Sequence, residues 1–131
     1  MHADRHGRVG ARARGREMEL VSAVQAALER SIKTPDWDRD IVVDAYGAGR
    51  RNVPTGSSDR YTRVEVALYA GRSVDAKRAM YRAVAGSLAA LGVSDTEFKI
   101  IVVEFPRENC APVPHRGAAA SDIDIGHAVT V

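Results

Sequence analysis

Between Glu17 and Ile32 the apolar residues recur at steps of three and four: Leu20, Val21, Val24, Ala27, Leu28 and Ile32. That spacing lines them along one face of an amphipathic helix. Thr34-Pro35-Asp36 stops the helix, because proline has no N–H to continue the ladder. Ile41 to Tyr46 is β-branched and mostly apolar, which predicts a buried strand. Gly47 to Arg60 is rich in glycine, proline, serine and charge and reads as a loop. Val64, Val66 and Leu68 then alternate with Glu65 and Ala67, the period of a strand, and Gly71 ends it.

Ser73 is placed to cap a second helix, with Asp75 in its first turn where negative charge suits the helix dipole. Ala76, Met80, Val84, Leu88 and Leu91 mark its apolar face, and Gly92 stands where a left-handed C-terminal cap belongs. Ile100 to Phe105 is a continuous apolar run, expected of a strand covered on both faces. Past Pro106 the chain is loop-like until Ile123, where Ile125, Ala128 and Val131 suggest a last strand over about 121–131.

The two halves superimpose with a constant shift of 60 residues. Arg12 falls on Arg72, Val24 on Val84, Leu28 on Leu88, Ile41-Val42-Val43 on Ile101-Val102-Val103, and Asp44 on Glu104. An ungapped register through strand, helix and strand is the mark of an internal repeat. The chain therefore reads as one domain over 1–131. Its repeats are 2–46 and 62–106, its linker is 47–61, and its C-terminal strand serves oligomerisation. Each repeat is a β-α-β unit with parallel strands joined by a crossover helix. Two tandem units give an α+β fold, a four-stranded mixed sheet with both helices on one face. The other face is left bare and needs cover, which a second copy of the chain would supply.

Composition adds limits. A chain of 131 residues, 45% apolar and 27% charged, is ordinary for a single folded domain. One of this size buries roughly 70% of its unfolded surface. No apolar run approaches 18 residues, so no membrane partner is expected, and the basic N-terminus lacks the apolar stretch of a secretory signal. The lone cysteine, Cys110, excludes an internal disulfide and suits a reducing, cytoplasmic setting. A net charge of +2 does not call for a nucleic-acid partner. Arg5, Arg8, Arg12, Arg14 and Arg16 crowd the first sixteen residues, but no aromatics are interleaved for base stacking.

The stretch Ala67 to Ser73 (ALYAGRS), followed by Lys77 and Tyr81, resembles the second-half signature of the tautomerase superfamily. Phe105-Pro106-Arg107-Glu108-Asn109 resembles the segment after that family's last core strand, and Ser121 to Gly126 its C-terminal strand. The resemblance implies paired β-α-β units packed as a homotrimer, with active sites between subunits. It also implies cofactor-free proton transfer on small carboxylates, begun by the amine of an N-terminal proline. Basic residues in such sites bind the substrate carboxylate and stabilise the enolate.

Residue 2, the position of that proline, is His2. A residue this large also disfavours removal of Met1, whose α-amine, with an ordinary pKa of about 7.7–8.0, then becomes a candidate base. His2 is the other candidate, since imidazole titrates near neutral pH; its alternative is an inert first-strand residue. The segment after Met1, HADRHGRVGAR, is unusually polar for a core strand.

Arg72 matches the arginine of the family's Gly-Arg element and is the candidate for a bidentate grip on a carboxylate. Arg12, its repeat mate, is a weaker candidate with a structural or interface role as the alternative. Arg107 and Asn109 lie just past a core strand, where they either bind substrate, cap the strand or link subunits. Cys110 stands where a tryptophan is common in the family. It reads as a structural thiol rather than a nucleophile paired with His115. The glycines and arginines over 47–51 open no helix and so make a poor phosphate loop. The histidines have no metal-ligand spacing, and no metal is expected. Two functions remain: a tautomerase-like isomerase on a small carboxylate or enol acid, or a non-catalytic binding or assembly protein on the same scaffold.

Overall fold

The computed structural model describes residues 16–47 and 49–123. Helix α1 spans Glu17–Ile32, strand β1 Thr62–Tyr69, helix α2 Val74–Ala90 and strand β2 Phe98–Phe105. Single 3-10 turns follow at Arg107–Asn109 and Ala120–Asp122. The fold is α+β: β1 and β2 pair in parallel with α2 as the crossover.

The helical spacing in α1 becomes burial. Val24, Ala27, Leu28 and Ile32 are buried, while Leu20 packs half-exposed against them. Glu17 and Glu19 lie in the first turn, where the dipole favours them. The helix ends in a left-handed Lys33 (φ 59°) whose ammonium donates to the Arg30 carbonyl at 2.8 Å. One buried polar residue interrupts the apolar face: Gln25 Nε2 donates to the carbonyl of Asp38 at 3.2 Å. That bond ties the 35–38 turn to the helix.

Helix α2 has the caps its sequence predicts. Ser73 Oγ accepts from the Ala76 N–H at 3.1 Å. At the other end Gly92 (φ 83°) donates to Ala89 O at 2.9 Å and Val93 N–H to Leu88 O at 3.0 Å, a Schellman closure.

In β1 every second residue is buried, from Thr62 through Val64 and Val66 to Leu68. This face, with Phe98, Ile100 and Val102 of β2, meets Val24, Leu28 and Ile32 of α1 and Met80, Val84 and Leu88 of α2. Both helices therefore cover one side of the sheet. The other side carries Arg63, Glu65, Ala67 and Tyr69 beside Lys99, Ile101, Val103 and Phe105, in register Arg63↔Lys99 to Tyr69↔Phe105.

Three expectations change. β2 is not covered on both faces: none of its residues is fully buried, and Val103 is 44% exposed. Residues 41–47 form no strand, and Val42 is 42% exposed. A strand needs a neighbour to take its backbone hydrogen bonds, and this segment has none among the described residues. Among the described residues the sheet has two strands, β1 and β2. The expected C-terminal strand opens instead with the Ala120–Asp122 turn, and its remainder lies outside the described residues, as does the first strand.

Candidate functional site

At the ends of β1 and β2 where the chain leaves the sheet, a cavity of about 390 Å³ is lined by Thr34, Asp38, Tyr69, Arg72, Phe105 and Cys110, with further residues of 37–40 and 111–113. Three segments converge on it. Gly71 (φ 126°) turns the chain after β1 and delivers Arg72. The turn after α1, closed by Asp38 N–H to Pro35 O at 3.1 Å and by Gln25, delivers Asp38. The 3-10 turn after β2 delivers Cys110, whose N–H donates to Arg107 O at 3.3 Å and whose carbonyl accepts from Ala120 N–H at 2.8 Å.

Arg72 is only 6% exposed. Its Nη2 donates to Ile32 O across a long 3.5 Å, and its Nε has no hydrogen-bond partner. Burial lowers the guanidinium pKa, while the charges of Asp38 and Glu104 act the other way. Glu104 is already engaged by Lys77 Nζ in a close ion pair. The Thr34 hydroxyl in the same wall is also buried and unpartnered. A desolvated cation with spare donors, beside an unsatisfied hydroxyl, is an environment a small anionic ligand completes.

Tyr69 forms the floor and packs edge-on against Phe105, ring centroids 5.1 Å apart at 64°. Its phenol is pushed up to about 12, first by burial, then by a hydrogen bond with Cys110. The charge of Asp38 adds to the shift and that of Arg107 opposes it. The phenol is thus a neutral donor at physiological pH. Cys110 is a free thiol beside it.

Of the residues expected from sequence, Arg72 lines this cavity. Arg107 lies close enough to influence Tyr69 but does not line it, and its Nε is buried and unpartnered. Asn109 is exposed, its N–H donating to Pro106 O at 2.9 Å, and is not a lining residue. His115 is exposed and does not reach the lining either. Met1, His2 and Arg12 lie outside the described residues.

Two lining residues carry chemistry that the sequence reading passed over. Asp38 lies just past Thr34-Pro35-Asp36, which reads as the helix stop, and itself has no role in that reading. Its signal was three aspartates within five residues directly after a helix. Cys110, read as a structural thiol, is part of the wall. Among the described residues no group of acidic, histidine or cysteine side chains could hold a metal ion, and no helix is long and apolar enough to cross a membrane.

A search of curated protein sequences gives no match. Among solved structures the chain is similar to a native fused 4-OT (TM-score 0.79, 17% identity, covering 94% of this chain and 98% of that one). It is similar to a malonate semialdehyde decarboxylase (0.77, 18%, 89% and 94%). A member of the cis-3-chloroacrylic acid dehalogenase family also matches (0.76, 14%, 91% and 82%). At these identities the likeness is one of fold. The family profile described as "Tautomerase enzyme" matches residues 37–111, more than half of the sequence and the part that holds Asp38, Tyr69, Arg72 and Cys110. The chain belongs to the tautomerase superfamily.

Proposed function

We propose that the protein is a tautomerase-like isomerase that moves a proton on a small carboxylate or enol acid, with Arg72 holding the carboxylate. The observation that carries this reading is the buried, partly uncommitted guanidinium of Arg72 in a cavity it shares with Asp38 and Tyr69. A carboxylate anchored on Arg72 meets the neutral Tyr69 hydroxyl, a donor for a developing enolate oxygen. The base comes from the N-terminal region, either His2 or the Met1 α-amine, with Arg12 in support. Arg107 and Asn109, from the turn after β2, would join Arg72 in binding substrate.

The reading includes the complete architecture: two repeats of β-α-β in one domain, a four-stranded sheet and a homotrimer. The bare sheet face supports assembly, and fused 4-OT structures among the similar ones are described as trimers. The reducing cytoplasm is the expected location, on the evidence of a single free cysteine.

Ketonisation of phenylenolpyruvate or 2-hydroxymuconate by the folded protein tests the activity. Turnover above buffer that drops at least tenfold in Arg72→Gln is the expected outcome. No turnover by folded, assembled protein overturns it. A second reading, a non-catalytic ligand-binding or assembly protein, is favoured by His2 at the proline position. It requires that wild type be inert and that His2→Pro create activity; turnover by wild type that His2→Pro leaves unchanged refutes it.

A further inference from the structure

The opposite end of the sheet carries a cavity that the isomerase reading does not use. It encloses about 440 Å³ between Arg51, Tyr61, Arg63, Lys99 and the loop 52–54. Arg63 and Lys99 are register partners one residue into β1 and β2, whereas Tyr69 and Phe105 stand at the far ends. Six strand steps separate Arg63 from Tyr69, roughly 20 Å at strand rise. The two cavities share no lining residue.

The lining has one chemical bias. Three of its side chains are cationic and none is acidic. Arg51 is held in place by its own bonds, Nη1 to Tyr61 O at 2.7 Å and Nη2 to Asp59 O at 3.0 Å, and lies 5.6 Å from the centre of the Tyr61 ring. Tyr61 is 7% exposed, and its buried hydroxyl has no hydrogen-bond partner. The charges of both Arg51 and Arg63 act on that hydroxyl. Arg63 keeps Nε buried and unpartnered while Nη2 meets Glu65 at a loose 3.5 Å. Of the other nearby carboxylates, Asp59 and Glu97 both act on the Arg51 guanidinium, and Glu97 is occupied by the Ser58 N–H and hydroxyl, each at 2.9 Å.

We propose that this cavity is a second ligand site, built for a phosphoryl oxyanion, either free phosphate or the head of a small phosphate monoester. The candidate donors are the Arg63 guanidinium, the Lys99 ammonium and the Tyr61 phenol, with Arg51, held by its own bonds, adding positive charge. A carboxylate is satisfied by one bidentate arginine, whereas a phosphoryl group offers three oxygens and close to two charges. The same open sheet face is thereby divided. Its far end, Ile101, Val103 and Phe105, is apolar and suits a protein partner; its near end is cationic and suits the anion.

The test is calorimetric titration of the full-length protein with inorganic phosphate and, separately, with phenyl phosphate, at constant ionic strength. Acetate and chloride serve as controls. Saturable binding of one anion per chain is expected with at least one of the two probes, and the tighter probe identifies the source. Tyr61→Phe, which deletes only the unpartnered hydroxyl, should weaken it several-fold to tenfold. Lys99→Gln, at an exposed position of β2, should do the same, and Arg72→Gln should leave phosphate binding unchanged. Absence of saturation by 10 mM, as an order of magnitude for a useful site, overturns the proposal. So does equal competition by acetate, loss of binding in Arg72→Gln, or indifference to both Tyr61→Phe and Lys99→Gln.

Discussion

Lys77 in α2 engages the carboxylate of Glu104 near the end of β2, so that one of the two carboxylates whose charge acts on Arg72, the other being Asp38, is already committed to an ammonium. Glu104 is close enough to act on the Arg72 guanidinium, yet its oxygen is committed to the ammonium. Removing the ammonium by Lys77→Met frees Glu104 to turn toward Arg72. The expected result is weaker binding of a small carboxylate, by about threefold to tenfold in KM or Kd, with a smaller change in kcat. The pair is partly exposed, so its contribution to stability is roughly 0.5–1 kcal/mol. Unchanged carboxylate affinity in Lys77→Met would show that Glu104 does not compete with ligand for Arg72.

Arg72 itself is poorly compensated in the free protein, with one long bond and an idle Nε. A buried charge held this loosely contributes little to stability. Arg72→Met should therefore leave Tm unchanged or raise it, while abolishing the upward shift that a bound carboxylate gives wild type. Thermal melts with and without benzoate measure both effects. A large loss of Tm in Arg72→Met without ligand would assign Arg72 to the scaffold instead of the site.

Tyr69 makes a pH-dependent prediction. Its phenol pKa is raised to about 12 in the folded state, against about 10 unfolded. The folded protein therefore binds this proton more tightly than the unfolded chain does. The associated stability is fully present below pH 10 and is lost as pH rises toward 12. Tyr61, raised by burial, acts in the same direction. In a spectrophotometric titration of the four tyrosines, two should ionise late. Tyr69→Phe should remove one late step and flatten the stability profile above pH 10. An unaltered profile would mean that Tyr69 is not the group responsible.

Much of the fold was legible in the sequence where one residue type answers one local demand. The spacing Val24, Leu28, Ile32 marked α1, the alternation Val64, Val66, Leu68 marked β1, and Ser73 and Gly92 marked the ends of α2. The segment Ile41 to Tyr46 has the composition of a strand but no ladder partner among the described residues, and composition cannot supply one. β2 reads as fully buried because Ile101 and Val103 are apolar, although both lie on the open face. Apolar pattern records a need for cover without saying whether the same chain meets it. That Arg72 lines the cavity agrees with the position its Gly-Arg context singled out. Asp38 and Cys110 were not so singled out, since what makes them site residues is the convergence of three separated segments.

Two glycines separate backbone from packing effects. Gly86 lies inside α2 and Gly92 just past its end, and an added Cβ meets nothing within 4 Å at either position. Only Gly92 has positive φ, at 83°. Gly86→Ala should stabilise by about 0.5–1 kcal/mol through helix propensity and a less mobile unfolded chain. Gly92→Ala should destabilise by about 1 kcal/mol through left-handed strain. Urea denaturation gives both numbers; effects of the same sign would contradict the cap geometry.

The open sheet face carries the last prediction. Val103 is 44% exposed in the middle of β2, with Ile101 and Phe105 on the same side of the strand and Ala67 opposite it on β1. Solvent exposure of apolar surface at this density is unfavourable unless another surface covers it. A trimer that covers it would have to accommodate any charge introduced there without a partner, at a cost of several kcal/mol per interface. Val103→Glu should therefore dissociate the assembly while leaving the helices formed, because its side chain points away from the core that Val66, Met80 and Leu88 build with α1. Light scattering and far-UV circular dichroism read the two outcomes together. Loss of helical signal would place Val103 in the fold of the single chain, and a wild-type protein that is already monomeric would leave this face without the partner that its composition calls for.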